Sequence, residues 1–192
     1  MRISILATII PADITCVEDF TPLKHLKERL EYFEIPKDKV LVMGKDTYEN
    51  ACVATGKPIG TNLLGRKIII LSKKPVPEYI QDNENLYYVS STDYAVYTAY
   101  EIRTDEMIVV GGRSVHQLFF PIADRLYLIH IFGCFAGYQY FPKFSLEDWV
   151  CISRKYRDTD NKNGLDFGLK IFDRDRQVTA GKKTMGLDDI SL

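Results

Sequence analysis

The 192-residue sequence has no apolar run near the length of a membrane span, no CxxC pair and almost no net charge. Each shortage closes off a class of function. A transmembrane helix needs about 20 consecutive apolar residues, and no segment supplies them. The four cysteines, Cys16, Cys52, Cys134 and Cys151, lie far apart, without zinc-site spacing or the density of a disulfide scaffold. They read as reduced thiols in a cytoplasmic protein. A formal net charge of -1 provides no bulk attraction to nucleic acid or to an anionic membrane surface. GxSxG and HExxH are both absent, which leaves serine-hydrolase and zinc-protease readings without support. His25, His116 and His130 show no ligand spacing, so no metal is expected. There are no internal repeats and no low-complexity tract. The short apolar start behind Arg2 has some features of a signal peptide, but residues 3–10 read better as a first strand.

What is present is an ordinary globular composition. Hydrophobic residues make up 46% and charged residues 27%, enough for one domain with a sizeable core. Apolar, β-branched segments at 3–10, 39–43, 67–72, 86–89, 107–110, 125–132 and 149–157 predict strands. A segment at 165–173 reads as a last, antiparallel edge strand. Leu23, Leu26, Leu30 and Phe33 recur at helical spacing over 22–33, and Pro36 closes that helix. Residues 92–100 predict a helix with a Ser or Thr cap, and 115–120 a short helix stopped by Pro121. Residues 51–64, with Gly56, Pro58 and Gly60, read as a loop. The pattern predicts an α/β fold: a largely parallel central sheet with an antiparallel edge strand and helices on both faces. Residues 1–173 form the expected domain. Residues 174–192 lose apolar periodicity and are expected to be a mobile C-terminal tail.

Ligands of such sheets gather at the carboxyl ends of the strands, and three strand ends carry suggestive residues. They are Gly44, Lys45, Asp46 and Thr47; Leu71, Ser72, Lys73 and Lys74; and Gly111, Gly112, Arg113 and Ser114, leading into Val115. A strand, a glycine pair and a helix start let backbone N–H groups approach a phosphate. The full GxGxxG spacing is missing, so a tight turn without ligand stays open at that point. Likewise the cations are either phosphate ligands or solvated loop charges. Three such ends together suggest an extended nucleotide with several phosphates. Glu28 lies near the edge of the apolar stripe of the first helix, where apolar walls raise a carboxyl pKa, or it is a surface glutamate like Glu31 and Glu34. Arg66 is either a carboxylate clamp or a surface arginine.

Three stretches taken together, VLVMGKDTYEN (40–50), LLGRKIIILSKKP (63–75) and MIVVGGRSVHQLFFPIADRLYLIHIFGCFAGYQYFPKFSLEDW (107–149), resemble the dihydrofolate reductases, and the resemblance runs along residues 1–173. It implies that fold, NADPH as cofactor, and reduction of 7,8-dihydrofolate to tetrahydrofolate by hydride transfer to the pterin. By position, Leu6, Ala7, Thr8, Tyr32, Val110 and Ile129 fall at the substrate. Arg66 falls on the arginine that clamps the α-carboxylate of the substrate's glutamate. Ala7, Thr15, Gly44 to Thr47, Leu71 to Lys73 and Gly111 to Val115 fall along the cofactor, with Ser72 and Lys73 near its 2′-phosphate. An ungapped count from Met43 back to Pro22 puts the family's active-site carboxyl, which governs the proton, on Glu28. A one-residue gap would put Arg29 there instead.

The chain also departs from the family pattern. Leu23 replaces a tryptophan, Arg113 ends the glycine run, and Tyr138 replaces an aspartate. His116 stands where a tyrosine is usual, and Ile129 replaces the threonine that bonds the catalytic carboxylate. The segment between Glu49 and Gly65 is longer than usual. These mark a divergent member. The alternatives are an NADPH-dependent pyrimidine reductase of riboflavin synthesis and a weakly active fold relative that serves as a binding or structural protein. The expected partner is the small-molecule substrate alone, on a monomer or homodimer.

Overall fold

The computed structural model describes residues 1–10, 14–15, 27, 30–31, 33–78, 83–131, 139–142, 147–157 and 167–176. Its strands are β1 (Arg2–Ile10), β2 (Ile14–Thr15), β3 (Val40–Gly44), β4 (Ile68–Leu71), β5 (Leu86–Val89), β6 (Glu106–Gly111), β7 (Arg125–Ile131), β8 (Gln139–Tyr140), β9 (Trp149–Arg157) and β10 (Phe167–Arg174). The helices are α1 (Lys45–Ala54), α2 (Thr92–Glu101) and α3 (Arg113–Phe119), and α3 runs on into a 3-10 turn at Phe120–Ile122 that contains Pro121. Of the helix expected over 22–33, only Lys27, Leu30, Glu31 and Phe33 fall among the described residues.

One sheet carries the molecule, in the order β5-β4-β3-β6-β1-β7-β10-β9, with β2 pairing β1 and β8. From β5 to β7 the neighbours are parallel. β10 and β9 run antiparallel. The expected order is corrected here: β10 is not the edge but lies between β7 and β9. Leu169 and Phe172 of β10 are each 5% exposed, whereas β9 leaves Val150, Ile152 and Tyr156 half or more exposed. Both segments are apolar enough to read as strands, so sequence pattern alone did not order them.

The strands alternate their side chains between two cores. Ile5, Ala7 and Ile9 face Ala95 and Ala99 of α2 and Val115 and Phe119 of α3. Leu6, Met43, Ile108 and Val110 face Leu30 and Tyr48, Ala51 and Cys52 of α1. Helices therefore cover both faces. Ser91 caps α2, its Oγ accepting from the Tyr94 N–H at 3.2 Å, which satisfies one orphan donor of the first turn. Helix α1 reaches Ala54, so residues 51–54, expected in a loop, are helical: Ala51 and Cys52 are buried against the sheet, and that burial outweighs the glycines that follow. The helix stops at Thr55, whose hydroxyl donates back to the Ala51 carbonyl at 2.7 Å.

Ion pairs fasten the far side. Arg125 grips Asp173 through Nε and Nη2 at 2.6 and 2.8 Å, joining β7 to β10. Arg174 donates to the carbonyls of Ala123 and Phe120 at 2.6 and 2.7 Å and lies 4.3 Å over the Trp149 ring. The packed fold thus includes Arg174, one residue beyond the expected boundary; residues 177–192 lie outside the described set. Among the described residues no helix is long and apolar enough to cross a membrane.

Candidate active site

The three suspected strand ends are neighbours. Met43 pairs with Gly111, after a register irregularity between Val42 and Met43, and Gly44 pairs with Leu71. Close approach explains the glycines. A Cβ on Gly44 would stand 3.2 Å from Val115 Cγ2, and one on Gly112 would stand 3.1 Å from Thr47 Oγ1. Gly111 holds φ at +136°, a region L side chains rarely adopt.

Thr47 bonds backbone across elements. Its Oγ1 accepts the Gly112 N–H at 3.1 Å, tying the first turn of α1 to the double-glycine turn. Neither Gly44 before α1 nor Gly112 before α3 supplies a side-chain cap. The first-turn N–H groups of α1 and the positive end of its dipole are left for an anion.

Cations flank this cradle. Lys45 Nζ pairs with Glu49 at 2.6 Å, and that bond raises the lysine pKa, so it stays charged. Lys73, Lys74, Arg113 and Ser114 are exposed. Ser72 Oγ accepts the Lys74 N–H at 3.1 Å and Ser72 N–H bonds Val89 O at 2.9 Å, fixing the turn that presents the two lysines. Asp46 lies in the first turn of α1, complementing its dipole.

A second feature adjoins the cradle. The β1–β6 ladder ends at Ile5 and Val109, whereas β1 and β7 stay paired to Ile9 and His130. Beyond Ile5 the first strand holds to β7 and parts from β6. The chain order also reverses between these strands. Leu6 pairs with Tyr127 and Thr8 with Ile129, so all four project to one face. That face carries Val110 and Leu30. Leu6, Thr8, Val110 and Ile129 are therefore brought together. Ala7 is not one of them: its side chain packs into the opposite core with Val115, leaving only its backbone for this face.

Arg66 is no surface arginine. It is 4% exposed, and its Nη1 donates to the carbonyls of Pro36 and of Lys39 (3.4 Å), its Nη2 to that of Ile35 at 2.7 Å. Burial lowers its pKa, because the charge has left water without a bonded carboxylate among the described residues. Of five donors, these three bonds leave two. Thr15 lies in β2 opposite Ile9. Glu28 and Tyr32 lie outside the described residues.

Sequence reasoning marked His116 only as a departure from the family's tyrosine and left it out of the candidate site residues. It is 6% exposed, and its ring comes within 3.7 Å of where a Gly111 Cβ would stand and edge-on to Phe141 at 5.7 Å. Its signal was position: one turn after Gly112, on the inward side of α3, beside the buried Val115.

Open parallel sheets of this kind take ligands in the crevice where strand order reverses, with phosphates at helix starts, and the chain has both features. More narrowly, the sequence model described as dihydrofolate reductase matches residues 18–174, and the chain belongs to that family. It is similar to the dihydrofolate reductase of Bacillus subtilis, 29% identical over 158 residues that cover 82% of this chain and 86% of the relative. The type 3 dihydrofolate reductase of Salmonella typhimurium is 28% identical over 164 residues, covering 85% and 92%. In fold it matches a dihydrofolate reductase from Enterococcus faecalis solved with NADP(H) and RAB-propyl, with a TM-score of 0.71 and 20% identity over 91% of this chain and 96% of that one.

Proposed function

We propose that this protein reduces 7,8-dihydrofolate to 5,6,7,8-tetrahydrofolate with NADPH as reductant. The observation that carries the reading is the meeting of the phosphate-compatible strand ends of β3, β4 and β6 with the β1–β6 split. Bound NADPH supplies the hydride that reaches C6 of the pterin, and N5 gains a proton.

The chain's own residues bind, orient and govern that proton. Gly44, Lys45, Asp46 and Thr47 receive the pyrophosphate at the uncapped start of α1, with Gly111, Gly112, Arg113, Ser114 and Val115 closing from the other side. Glycine at 44 and 112 lets the start of α1 and the double-glycine turn approach each other closely. Leu71, Ser72 and Lys73 stand at the adenosine end, where the exposed lysine suits a 2′-phosphate. Thr15 and the Ala7 backbone flank the nicotinamide. Leu6, Thr8, Val110 and Ile129 share the face that holds the pterin, with Tyr32 beside the benzoyl group. The two remaining Arg66 donors suit the α-carboxylate of the glutamate tail, and such a partner relieves the buried charge. Glu28, at the position of the family's active-site carboxyl, is the residue assigned here to govern the proton supply to N5. The protein acts in the cytoplasm as a monomer or homodimer.

The assay follows the loss of reduced-nicotinamide absorbance when both NADPH and dihydrofolate are present. Glu28→Gln should lower kcat by about 10²-fold or more at neutral pH while the Kd for NADPH stays at the wild-type value. Full turnover in that variant counts against Glu28 as the acid, and no turnover in the wild type counts against the reading itself.

A further inference from the structure

Thr8 carries a hydroxyl in the middle of an apolar face. It is 5% exposed, and its Oγ1 has no hydrogen-bond partner among the described residues. It lies beyond Ile5, where β1 has parted from β6, so it borders the split. Its cross-strand partner is Ile129, which has no polar side-chain atom. The nearby Tyr127 hydroxyl is committed elsewhere, to Glu106 at 3.2 Å toward the other end of the strands. A hydroxyl taken from water and left unpaired destabilises the free protein, and valine of the same shape would avoid that cost.

We propose that Thr8 is a specificity-determining residue: its hydroxyl exchanges a hydrogen bond with the polar edge of the flat heterocycle bound in the β1–β6 split. The inference rests on the folate reading and adds to it the group by which this chain recognises the ring. A hydroxyl both donates and accepts, so it pairs with either an amino or a carbonyl position of an aminopyrimidinone ring. Ile129 beside it has no such atom, so on this strand pair the bond falls to Thr8 alone.

The test uses the full-length protein and the variants Thr8→Val and Thr8→Ser. The Kd values for dihydrofolate and for NADPH are measured separately, together with the melting temperature of each unliganded protein. Thr8→Val should weaken dihydrofolate binding by roughly two- to twelve-fold, the range of one neutral hydrogen bond. Thr8→Ser should stay within about a factor of two of wild type, and neither variant should change the NADPH Kd. Unliganded Thr8→Val should melt no lower than wild type, because it sheds an unpaired polar group. An unchanged dihydrofolate Kd in Thr8→Val overturns the proposal. So does a fall in its unliganded melting temperature that Thr8→Ser restores, since the hydroxyl would then be bonded in the free protein. Failure of the wild type to bind dihydrofolate at all defeats the folate reading and this inference with it. Wild-type binding that Thr8→Val matches defeats this inference alone.

Discussion

A guanidinium buried as deeply as Arg66 ordinarily has a carboxylate against it, since a charge out of water needs a counter-charge or a full set of acceptors. Here the acceptors are three backbone carbonyls from the turn before β3. They aim the planar fork and leave part of it unspent. Lysine keeps the charge but has neither the fork nor its fixed direction. Arg66→Lys should therefore weaken kcat/KM for dihydrofolate by about 1.5–3 kcal/mol, carried mainly by KM, as for a lost hydrogen bond to a charged group. A pteroyl substrate trimmed of its glutamate should show no difference between variant and wild type. A difference that persists with the trimmed substrate would mean that Arg66 acts on the fold alone.

Two contacts between elements lend themselves to test, one at the candidate site and one at the far end of the sheet. The bond from Gly112 N–H to Thr47 Oγ1 ties α1 to the glycine turn, the two segments proposed to hold the cofactor. Thr47→Val keeps the shape and removes the acceptor. It should cost about 1 kcal/mol of stability and raise the NADPH Kd more than the dihydrofolate Kd in titrations of the two ligands. At the opposite end of the sheet, Lys39 Nζ joins Asp105 at 2.5 Å and Asp38 at 3.1 Å, clamping the start of β3 to the turn before β6. That bond holds the Asp105 carboxyl below its ordinary pKa and raises that of Lys39. The folded protein thus binds a proton at Asp105 less readily than the unfolded chain does. The contribution is present above the ordinary carboxylate range and disappears as pH falls through the lowered value. Melting temperatures followed across the acid range should converge for wild type and Asp105→Asn at low pH and separate toward neutral. Parallel curves would count against the pair.

These elements also show what was legible beforehand. Apolar runs marked eight of the described strands to within a residue or two, and Ser91 marked the start of α2 by its chemistry, whereas the two-residue strands β2 and β8 left no apolar signal. The end of α1 was not legible, because Ala51 and Cys52 stay helical through tertiary burial that no local signal records. The place of β10 inside the sheet depends on which apolar strand another strand covers, and the face of Ala7 depends on register. Thr47 stood among the candidates, but its partner 65 positions away could only come from the fold.

Across the whole molecule, a net charge of -1 hides a polarised arrangement. Lys45, Lys73, Lys74 and Arg113 gather at the carboxyl ends of β3, β4 and β6, whereas the acids Asp105, Glu106, Asp124 and Asp173 line a cleft of about 520 Å³ at the other end of the sheet with Arg2, Arg174 and Arg176. The acids of that cleft are tied into ion pairs and hydrogen bonds, such as Asp173 with Arg125, Asp124 with Arg176, and Glu106 with Ser4 at 2.5 Å. Lys73 and Lys74 are exposed, and their pull on a phosphate passes through water and is screened by salt. The Arg66 fork is buried, so salt screens its pull far less. The two ligands should therefore respond differently to ionic strength. NADPH should bind more tightly than NADH at low salt, and that preference should shrink as salt rises from about 0.01 to 1 M, over which the Debye length falls from about 30 to 3 Å. The dihydrofolate Kd should change much less over the same range. Rises in melting temperature at one fixed ligand concentration provide the readout, since the stabilisation grows with the ratio of ligand concentration to Kd. Equal shifts for NADPH and NADH at low salt would remove the 2′-phosphate from the Ser72–Lys73 turn. Equal salt sensitivity of cofactor and substrate would mean that the exposed cations, and not the buried fork, hold both.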